Sequence, residues 1–291
     1  MTQLSEHQFT VVIKKDCPTC EMIEPVLAEL TATYPGKVTI YVQDDPSFPE
    51  SIESKIDDTS LEFSYRNNIE IVPTLICSSE SKESARTYGW DKAEWRRLTN
   101  LSSLGESLDS FKPGCGSKTL EPGMEEQLIA RFDDKLLSSR NIQLADLEDD
   151  AEGCYERGWS DGLPVIPPTR VRVIRMLKGT DRSPGEIIGN IPPDNAPCTI
   201  EKVAINAVLA GCKPEYFPIV LASVQAALQD KFCMHGLLCT TYFSGPVMIV
   251  NGPVVQQVGL NNGINALGQG SRANATIGRA LQLLIRNVGG G

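Results

Sequence analysis

Several features that define large classes of protein are missing from this chain. Its 291 residues contain no apolar run close to the ~20 residues that a membrane-crossing helix needs, so we predict no membrane partner. Residues 1–7 have neither the basic nor the apolar region of a secretory signal. The nine cysteines are an odd number with one close pair, which fits reduced thiols better than a disulfide framework. Together these absences predict a cytoplasmic protein.

An excess of positive charge is missing as well. The chain has 37 Asp and Glu against 27 Lys and Arg; most of the acidic residues lie in residues 1–150, whereas residues 151–291 are mildly basic. Because a phosphate backbone is bound by dense positive charge, we predict no nucleic-acid partner. The glycine-rich stretch 114–119 lacks the spacing of a P-loop, and the stretch 259–270 does not match Gly-x-Gly-x-x-Gly.

What the sequence does contain is a close pair of thiols, Cys17 and Cys20, in the segment Cys-Pro-Thr-Cys. An apolar run at 9–13 precedes the pair and a periodic stretch at 21–30 follows it, which predicts a strand and then a helix. Unpaired N–H groups at a helix start stabilise a thiolate, and only the thiolate attacks a disulfide. We therefore predict that Cys17 attacks and Cys20 resolves the mixed disulfide. A zinc half-site is the alternative, although no second Cys-x-x-Cys completes it.

The segment Ile71-Val72-Pro73-Thr74 leads into a later apolar strand, and together with Cys-Pro-Thr-Cys it resembles the thioredoxin/glutaredoxin superfamily. The resemblance implies that Pro73 is a cis-proline facing the dithiol, and that Pro73 and Thr74 hold an extended substrate strand. Many thioredoxins have an Asp in the first strand that accepts a proton from the resolving cysteine. This chain has none there, so the domain resembles glutaredoxins more closely and its proton acceptor is unidentified. An inactive form of the same fold is a further alternative.

The length favours more than one domain. We predict an α/β protein in which residues 1–105 form a thioredoxin-like mixed sheet flanked by helices. Residues 106–150 are predicted to be a linker with helices, and residues 151–291 a second, α+β domain. The predicted strands are 9–13, 38–43, 71–77 and 246–251. The predicted helices are 20–33, 50–66, 91–101, 123–132, 144–151, 170–177, 200–211, 214–229 and 271–287, with Thr169 and Thr199 as caps.

Two features of the second domain are candidates for a further site. Residues 259–274 interleave Gly and Asn before a predicted helix, where Asn265, Arg272 and Asn274 would bind a phosphate, a carboxylate or an oxyanion. The alternative is a tight turn of residues that tolerate positive φ. Asp161 lies in a rigid loop rich in proline and glycine and is a candidate acid or base.

A second group of candidates contains the remaining close cysteines. Cys233, His235 and Cys239 share one face if their segment is extended. They would then hold a soft metal such as zinc or copper, supply a second nucleophile with its base, or be structural. We predict no resident metal and no cofactor. Cys115 lies in a glycine-rich turn. It would act as a relay thiol, or it would simply be part of a linker turn.

Longer segments carry a second resemblance. Residues 114–117, 158–169, 199–221 and 266–291 resemble a little-characterised bacterial family that joins a thioredoxin-like domain to this second module. That family is related to, or a genomic neighbour of, the UGSC-type (seleno)proteins. Its members continue beyond the matching triple glycine, which predicts that this chain is truncated or split and that a partner supplies the missing segment.

These patterns favour a thiol–disulfide oxidoreductase that reduces a client or its own second domain. A thiol reductant, glutathione or a thioredoxin reductase system, would supply the electrons, and a thiol or disulfide client or a small molecule would be the substrate. A homo-oligomer is also predicted. The alternatives are a thiol-dependent reductase or lyase of a small organic substrate in the second domain, a soft-metal transfer protein, and a non-catalytic redox sensor or assembly module.

Overall fold

The computed structural model describes residues 7–80 and 82–291. The chain folds as two compact units that divide between Phe132 and Asp133. Residues 1–6, on which the prediction of no secretory signal rests, lie outside the described residues. Within the described part of the chain, no helix combines the length and the apolar character needed to cross a membrane.

The first unit contains short and long strands and mostly short helices. Its strands are β1 His7–Ile13, β2 Val38–Val42, β3 Ile56–Asp57, β4 Ile71–Val72, β5 Thr74–Ser79, β6 Lys82–Tyr88, β7 Trp90–Asp91, β8 Phe111–Lys112 and β9 Cys115–Gly116. Its helices are α1 Pro18–Met22, α2 Glu24–Thr33, α3 Glu62–Arg66, α4 Lys92–Thr99 and α5 Met124–Phe132.

Five of these strands form a mixed sheet in the order β3–β2–β1–β5–β6. β1 runs parallel to β2 and antiparallel to β5, which pairs antiparallel with β6. The central strand β1 ends in Val11, Val12 and Ile13, all fully buried, because helices cover both faces of the sheet. The structure confirms the predicted mixed sheet flanked by helices.

The segment after α4 adds to the first unit. β8 pairs with β7, and β9 pairs with β4, both antiparallel. The buried indole of Trp90 donates a hydrogen bond to the Asp109 carbonyl oxygen (2.7 Å). The predicted linker, 106–150, is therefore divided between the two units, with its first part paired to strands of the first.

The predicted helix 50–66 is wrong in its first part. Residues 50–61 contain β3 and turns, and the helix is limited to α3. Both carboxylate oxygens of Asp58 accept hydrogen bonds from backbone N–H groups, those of Phe63 (2.9 Å) and Ser64 (3.1 Å). An Asp that bonds to nearby N–H groups caps a helix start and competes with a helix that runs through it. The predicted helix 20–33 starts earlier, at Pro18, and is interrupted at Ile23.

The second unit is mainly helical with one small antiparallel sheet. Its strands are β10 Ile187–Ile191 and β11 Ala196–Thr199. Its helices are α6 Asp150–Glu156, α7 Arg170–Leu177, α8 Ile200–Ala210, α9 Phe217–Ala227, α10 Met234–Cys239, α11 Val254–Gln257 and α12 Arg272–Leu284. A π-helical turn, Ile285–Gly289, extends α12.

Capping residues determine where the central helices α7 and α8 begin and end. The Thr169 hydroxyl accepts a hydrogen bond from the Arg172 N–H at the start of α7, and Thr199 does the same for Lys202 at the start of α8. α8 ends at Gly211 in the left-handed conformation (φ +88°), which a glycine adopts without strain. α8 is buried almost all round and packs against α7 and α12, as a helix that is apolar on every side must.

Two predicted elements of this unit are wrong. Residues 246–251 form no strand, and Val247 and Ile249 are 75% and 81% exposed. The predicted helix at 144–151 begins only at Asp150, because the Asp149 carboxylate accepts hydrogen bonds from the Ala151 and Glu152 N–H groups and caps the helix there.

Candidate functional site

The first cysteine of the dithiol lies at the start of a helix. Cys17 is the N-cap of α1, with an extended backbone (φ −153°, ψ 109°), and its sulfur accepts a hydrogen bond from the Cys20 N–H (3.4 Å). Pro18 occupies the first turn, where its missing N–H costs nothing because that position has no partner within the helix. The Cys20 N–H of the helix start therefore points at the Cys17 sulfur, where it stabilises a thiolate.

The proline loop faces this sulfur. The peptide bond between Val72 and Pro73 is cis, as the resemblance implied. The Cys17 sulfur lies 3.6 Å from the Val72 carbonyl oxygen, which accepts a hydrogen bond when the thiol is protonated. Thr74 is fully buried, and its hydroxyl donates to the Ile71 carbonyl oxygen (2.6 Å), so that hydroxyl is already used within the protein.

A third thiol joins the pair. In the β4–β9 ladder, Cys115 lies opposite Val72, whose carbonyl oxygen contacts the Cys17 sulfur, and the Cys115 side chain helps to lower the pKa of Cys17. The Thr19 hydroxyl donates to the Pro113 carbonyl oxygen (2.7 Å), which ties the loop between the two cysteines of the dithiol to the segment before β9. Cys115 was predicted as a relay thiol or part of a linker turn, and the structure brings it to the dithiol.

The close approach of β9 depends on a glycine. A Cβ atom at Gly114 would lie 2.7 Å from the Val72 carbonyl oxygen and would overlap the Ile71 side chain. No ordinary side chain is accommodated at that distance without a shift of the backbone. The run Gly-Cys-Gly at 114–116 is the sequence signal for this packing.

A buried polar network, which the sequence analysis missed, anchors the residue two positions after Cys115. The Gln43 side-chain amide donates to the Ser64 and Ser117 hydroxyls (2.7 and 2.8 Å), and its oxygen accepts from the Lys118 N–H (3.1 Å). The Ser64 hydroxyl donates in turn to the Asp58 carboxylate (2.6 Å). A Gln directly after the apolar residues of β2 is the signal that could have found it, because a buried amide requires partners.

The pKa of Cys17 is shifted down, whereas the pKa values of Cys20 and Cys115 are shifted up. A hydrogen bond from the Cys20 side chain, with further ones from the Cys115 side chain and from backbone N–H groups, lowers the pKa of Cys17 from its ordinary 9.0 to about 5, although burial opposes this. Burial, and then the Cys17 sulfur, raises the pKa of Cys20 far above the usual range of a thiol. Burial and Cys17 also raise the pKa of Cys115. At neutral pH the site therefore holds one thiolate, on Cys17, and two thiols.

Both cysteines of the dithiol are covered. Cys17 is 1% exposed and Cys20 is 0% exposed, whereas Cys115 is half-buried. The Lys112 ammonium group donates to the Pro18 carbonyl oxygen (3.0 Å), so the segment containing β8 and β9 contacts the helix start at two points, Pro18 and Thr19. A large client reaches the Cys17 sulfur only when part of this cover moves.

Asp161, the predicted acid or base, forms an ion pair with Arg279. Its two carboxylate oxygens accept hydrogen bonds from the Arg279 guanidinium (2.9 and 2.7 Å), and both side chains are mostly buried. The hydrogen bonds from Arg279 lower the pKa of Asp161, so the carboxylate carries no proton to donate near neutral pH. Both oxygens are engaged in holding the loop to α12, and a role for Asp161 as an acid or base stays a prediction from the sequence.

The residues of the Gly/Asn loop bond to one another. The Asn274 side-chain amide donates to the Asn261 and Ala266 carbonyl oxygens (both 2.9 Å). Asn265 adopts positive φ (+61°) and donates to the Gln269 carbonyl oxygen, while the Arg272 guanidinium donates to a backbone oxygen of Gly211. These bonds favour the tight-turn interpretation over an anion site.

Cys233, His235 and Cys239 are not arranged as predicted. Cys233 precedes α10 in the left-handed conformation (φ +54°), and the other two lie within that helix, so the extended segment that would align all three is wrong. All three are exposed. Among the described residues, no group of three His, Cys, Asp or Glu side chains is placed to hold a metal ion, these three included.

Comparisons with known proteins bear on part of the chain. No protein-family model and no curated protein matches it. Among solved structures it is similar to the reduced thioredoxin pre-protein of Schistosoma mansoni, at 19% identity over 33% of this chain and 77% of that one, with a TM-score of 0.25. It is also similar to a thioredoxin of Malassezia sympodialis, at 18% identity over 34% of this chain and 76% of that one, with a TM-score of 0.25.

Proposed function

We propose that the protein is a thiol–disulfide oxidoreductase with Cys17 and Cys20 as its dithiol. The observation that carries this proposal is the placement of the Cys17 sulfur at the start of α1, where it accepts a hydrogen bond from the Cys20 N–H (3.4 Å) and faces the loop of Pro73. The low pKa of Cys17, caused first by the Cys20 side chain, supports it, because the attacking group is a thiolate.

The reaction follows from the two acidities. The Cys17 thiolate attacks one sulfur of a client disulfide, forming a mixed disulfide and releasing one client thiolate, which takes up a proton. Cys20 then loses its proton and attacks the Cys17 sulfur, which releases the second client thiolate. The products are a reduced client and a Cys17–Cys20 disulfide, so two electrons have passed from the protein to the client.

The reductant and client belong to the same proposal. A thiol reductant, glutathione or a thioredoxin reductase system, would return the disulfide to the dithiol state in the cytoplasm. The client would be a protein or small-molecule disulfide, or an oxidised cysteine of the second unit held in a disulfide. The relationship of the second unit to UGSC-type (seleno)proteins and the formation of a homo-oligomer remain predictions from the sequence.

The test is the reduction potential of the Cys17–Cys20 pair. The protein is equilibrated in glutathione buffers, its thiols are alkylated, and the pairing is mapped by mass spectrometry. We expect a reversible two-electron couple at about −200 to −270 mV, the range of glutaredoxins and thioredoxins. Cys17→Ser is the control and has no such couple. Absence of the Cys17–Cys20 disulfide throughout this range, in a folded protein, would overturn the proposal.

A further inference from the structure

We propose that Cys115 is a third redox-active thiol, which forms a disulfide with Cys17 and so resolves mixed disulfides in parallel with Cys20. This inference rests on the proposed function. It assigns a reaction to a residue outside the Cys-x-x-Cys segment, because β9 brings Cys115 to Val72, the residue that contacts the Cys17 sulfur.

The position of β9 is the first observation. β9 pairs with β4 directly before Pro73, with Cys115 opposite Val72. The carbonyl oxygen of Val72 is also the group that contacts the Cys17 sulfur, at 3.6 Å. The edge beside the Pro73 loop, where the resemblance places an extended substrate strand, is thus occupied by a strand of the same chain, and this strand places Cys115 opposite the residue that contacts the nucleophile.

The second observation is that this strand is held on both sides of Cys115. Before it, the Pro113 carbonyl oxygen accepts from the Thr19 hydroxyl, and Gly114 allows close approach to Val72. After it, the Ser117 N–H donates to the Glu70 carbonyl oxygen (2.8 Å). Contacts that fix a thiol beside a second sulfur raise its effective concentration there, as in any reaction between groups held in place.

The third observation concerns the competition with Cys20. Cys20 is fully buried, and burial is the main cause that raises its pKa. Cys115 is only half-buried; burial is the main cause of its raised pKa as well, the Cys17 thiolate adds to it, and the charge of Lys14 opposes that rise. Once Cys17 is bonded to a client it is no longer an anion, so that contribution disappears and Cys115 loses its proton more readily.

The proposed step is balanced. Cys115 gives up its proton, and its thiolate attacks the Cys17 sulfur of the mixed disulfide. The bond between Cys17 and the client sulfur breaks, the client leaves as a thiolate and takes up a proton, and a Cys17–Cys115 disulfide forms. Glutathione then reduces this disulfide in two exchanges, with oxidised glutathione as the product.

The test uses oxidised glutathione as the probe and the full chain with Cys20→Ser. Protein disulfides are quenched by acid, alkylated and mapped. We expect Cys20→Ser to form a Cys17–Cys115 disulfide and to resolve its Cys17–glutathione adduct within about tenfold of the wild-type rate. The double variant Cys20→Ser/Cys115→Ser is expected to accumulate the adduct. Cys20→Ala repeats the measurement if the serine variant does not fold.

The outcomes separate the two proposals. If Cys20→Ser and Cys20→Ala stop at the adduct while the wild type forms Cys17–Cys20, the role of Cys115 is overturned and the dithiol function stands. If the wild type forms neither the adduct nor a disulfide, the proposed function fails and this inference with it. Cys77→Ser is the matched control, a buried thiol of the same unit on β5, and it should leave the pairing unchanged.

Discussion

The buried cysteines Cys17 of the first unit and Cys198 and Cys212 of the second differ in their surroundings more than in their burial. In the first unit, Cys17 is buried beside other thiols and a helix start, and its pKa falls to about 5, chiefly through the Cys20 side chain. In the second unit, Cys198 and Cys212 are just as covered, yet burial raises the pKa of Cys198 to about 12 and of Cys212 to about 11. Burial alone makes a thiol inert, so the hydrogen-bond donors around a buried sulfur decide whether it reacts.

The largest expected effect is on the acidity of Cys17. A pKa of about 5, against an ordinary 9.0, corresponds to an acid dissociation constant roughly 10,000-fold larger. The thiolate predominates above that pKa, so its absorbance near 240 nm should rise between about pH 4 and 6 and be constant at neutral pH. The transition should vanish in Cys17→Ser and persist in Cys212→Ser. A midpoint of this titration above pH 8 would show that Cys17 is not unusually acidic, and the contrast with Cys198 and Cys212 would disappear.

Next in size is the loss of activity in Cys17→Ser. Without the thiolate no mixed disulfide forms, so reduction of a small disulfide by glutathione should fall by about 1,000-fold. Cys233→Ser, which removes an exposed thiol of the second unit, should leave the rate within about twofold. A comparable loss in Cys233→Ser would place the chemistry in the second unit instead.

The packing of β9 against β4 should depend on Gly114. In Gly114→Ala, the added Cβ meets the Val72 carbonyl oxygen and the Ile71 side chain, so the free energy of unfolding should fall by about 2 kcal/mol. Alkylation of Cys17 should also become faster as its cover loosens. Urea unfolding followed by tryptophan fluorescence measures the first effect, and mapped alkylation the second.

Gly116→Ala is the matched control for that substitution. An added Cβ at Gly116 has no neighbour within 4 Å, so its effect should stay within about 0.5 kcal/mol. Equal effects at the two glycines would show that the close approach of β9 to β4 does not limit stability.

The smallest expected effect is confined to the second unit. Asp161→Asn breaks the two-bond ion pair with Arg279, so the stability of α12 should fall by about 1.5 kcal/mol. Hydrogen exchange of the α12 amides measures this loss. Glu186→Gln, which breaks a more exposed pair with Arg182, should cost less than about 0.5 kcal/mol. Neither change should alter glutathione-dependent reduction; a loss of that activity in Asp161→Asn would support the predicted role of this carboxylate as an acid or base.

Features that depend on neighbouring residues were predictable from the sequence. The strand and helix on either side of the dithiol, the N-caps Thr169 and Thr199, and the end of α8 at Gly211 are confirmed. Each depends on hydrogen bonds or dihedral angles within a few residues, which the order of residue types determines. The mixed sheet was predictable because the resemblance implied that fold.

Features that depend on distant contacts were not predictable. The pairing of β9 with β4 joins residues far apart in the chain, and two-residue strands have no periodicity to detect. The apolar segment 246–251 has the composition of a buried strand, yet nothing in its own sequence shows whether a neighbouring strand exists to pair with it. The charge of Asp161 could be read from the sequence, but its partner Arg279, on another element, could not.

The occupation of the sheet edge by β9 has a kinetic consequence. A tethered strand competes with any incoming client at an effective concentration that, for short flexible tethers, reaches the millimolar range. For a peptide client, the reaction rate would therefore level off as the client concentration rises. The limiting value would be the rate at which the two residue pairs Ile71–Gly116 and Val72–Cys115 open. A disulfide small enough to reach Cys17 without displacing a strand would escape this limit, so the same two residue pairs would act as a size filter.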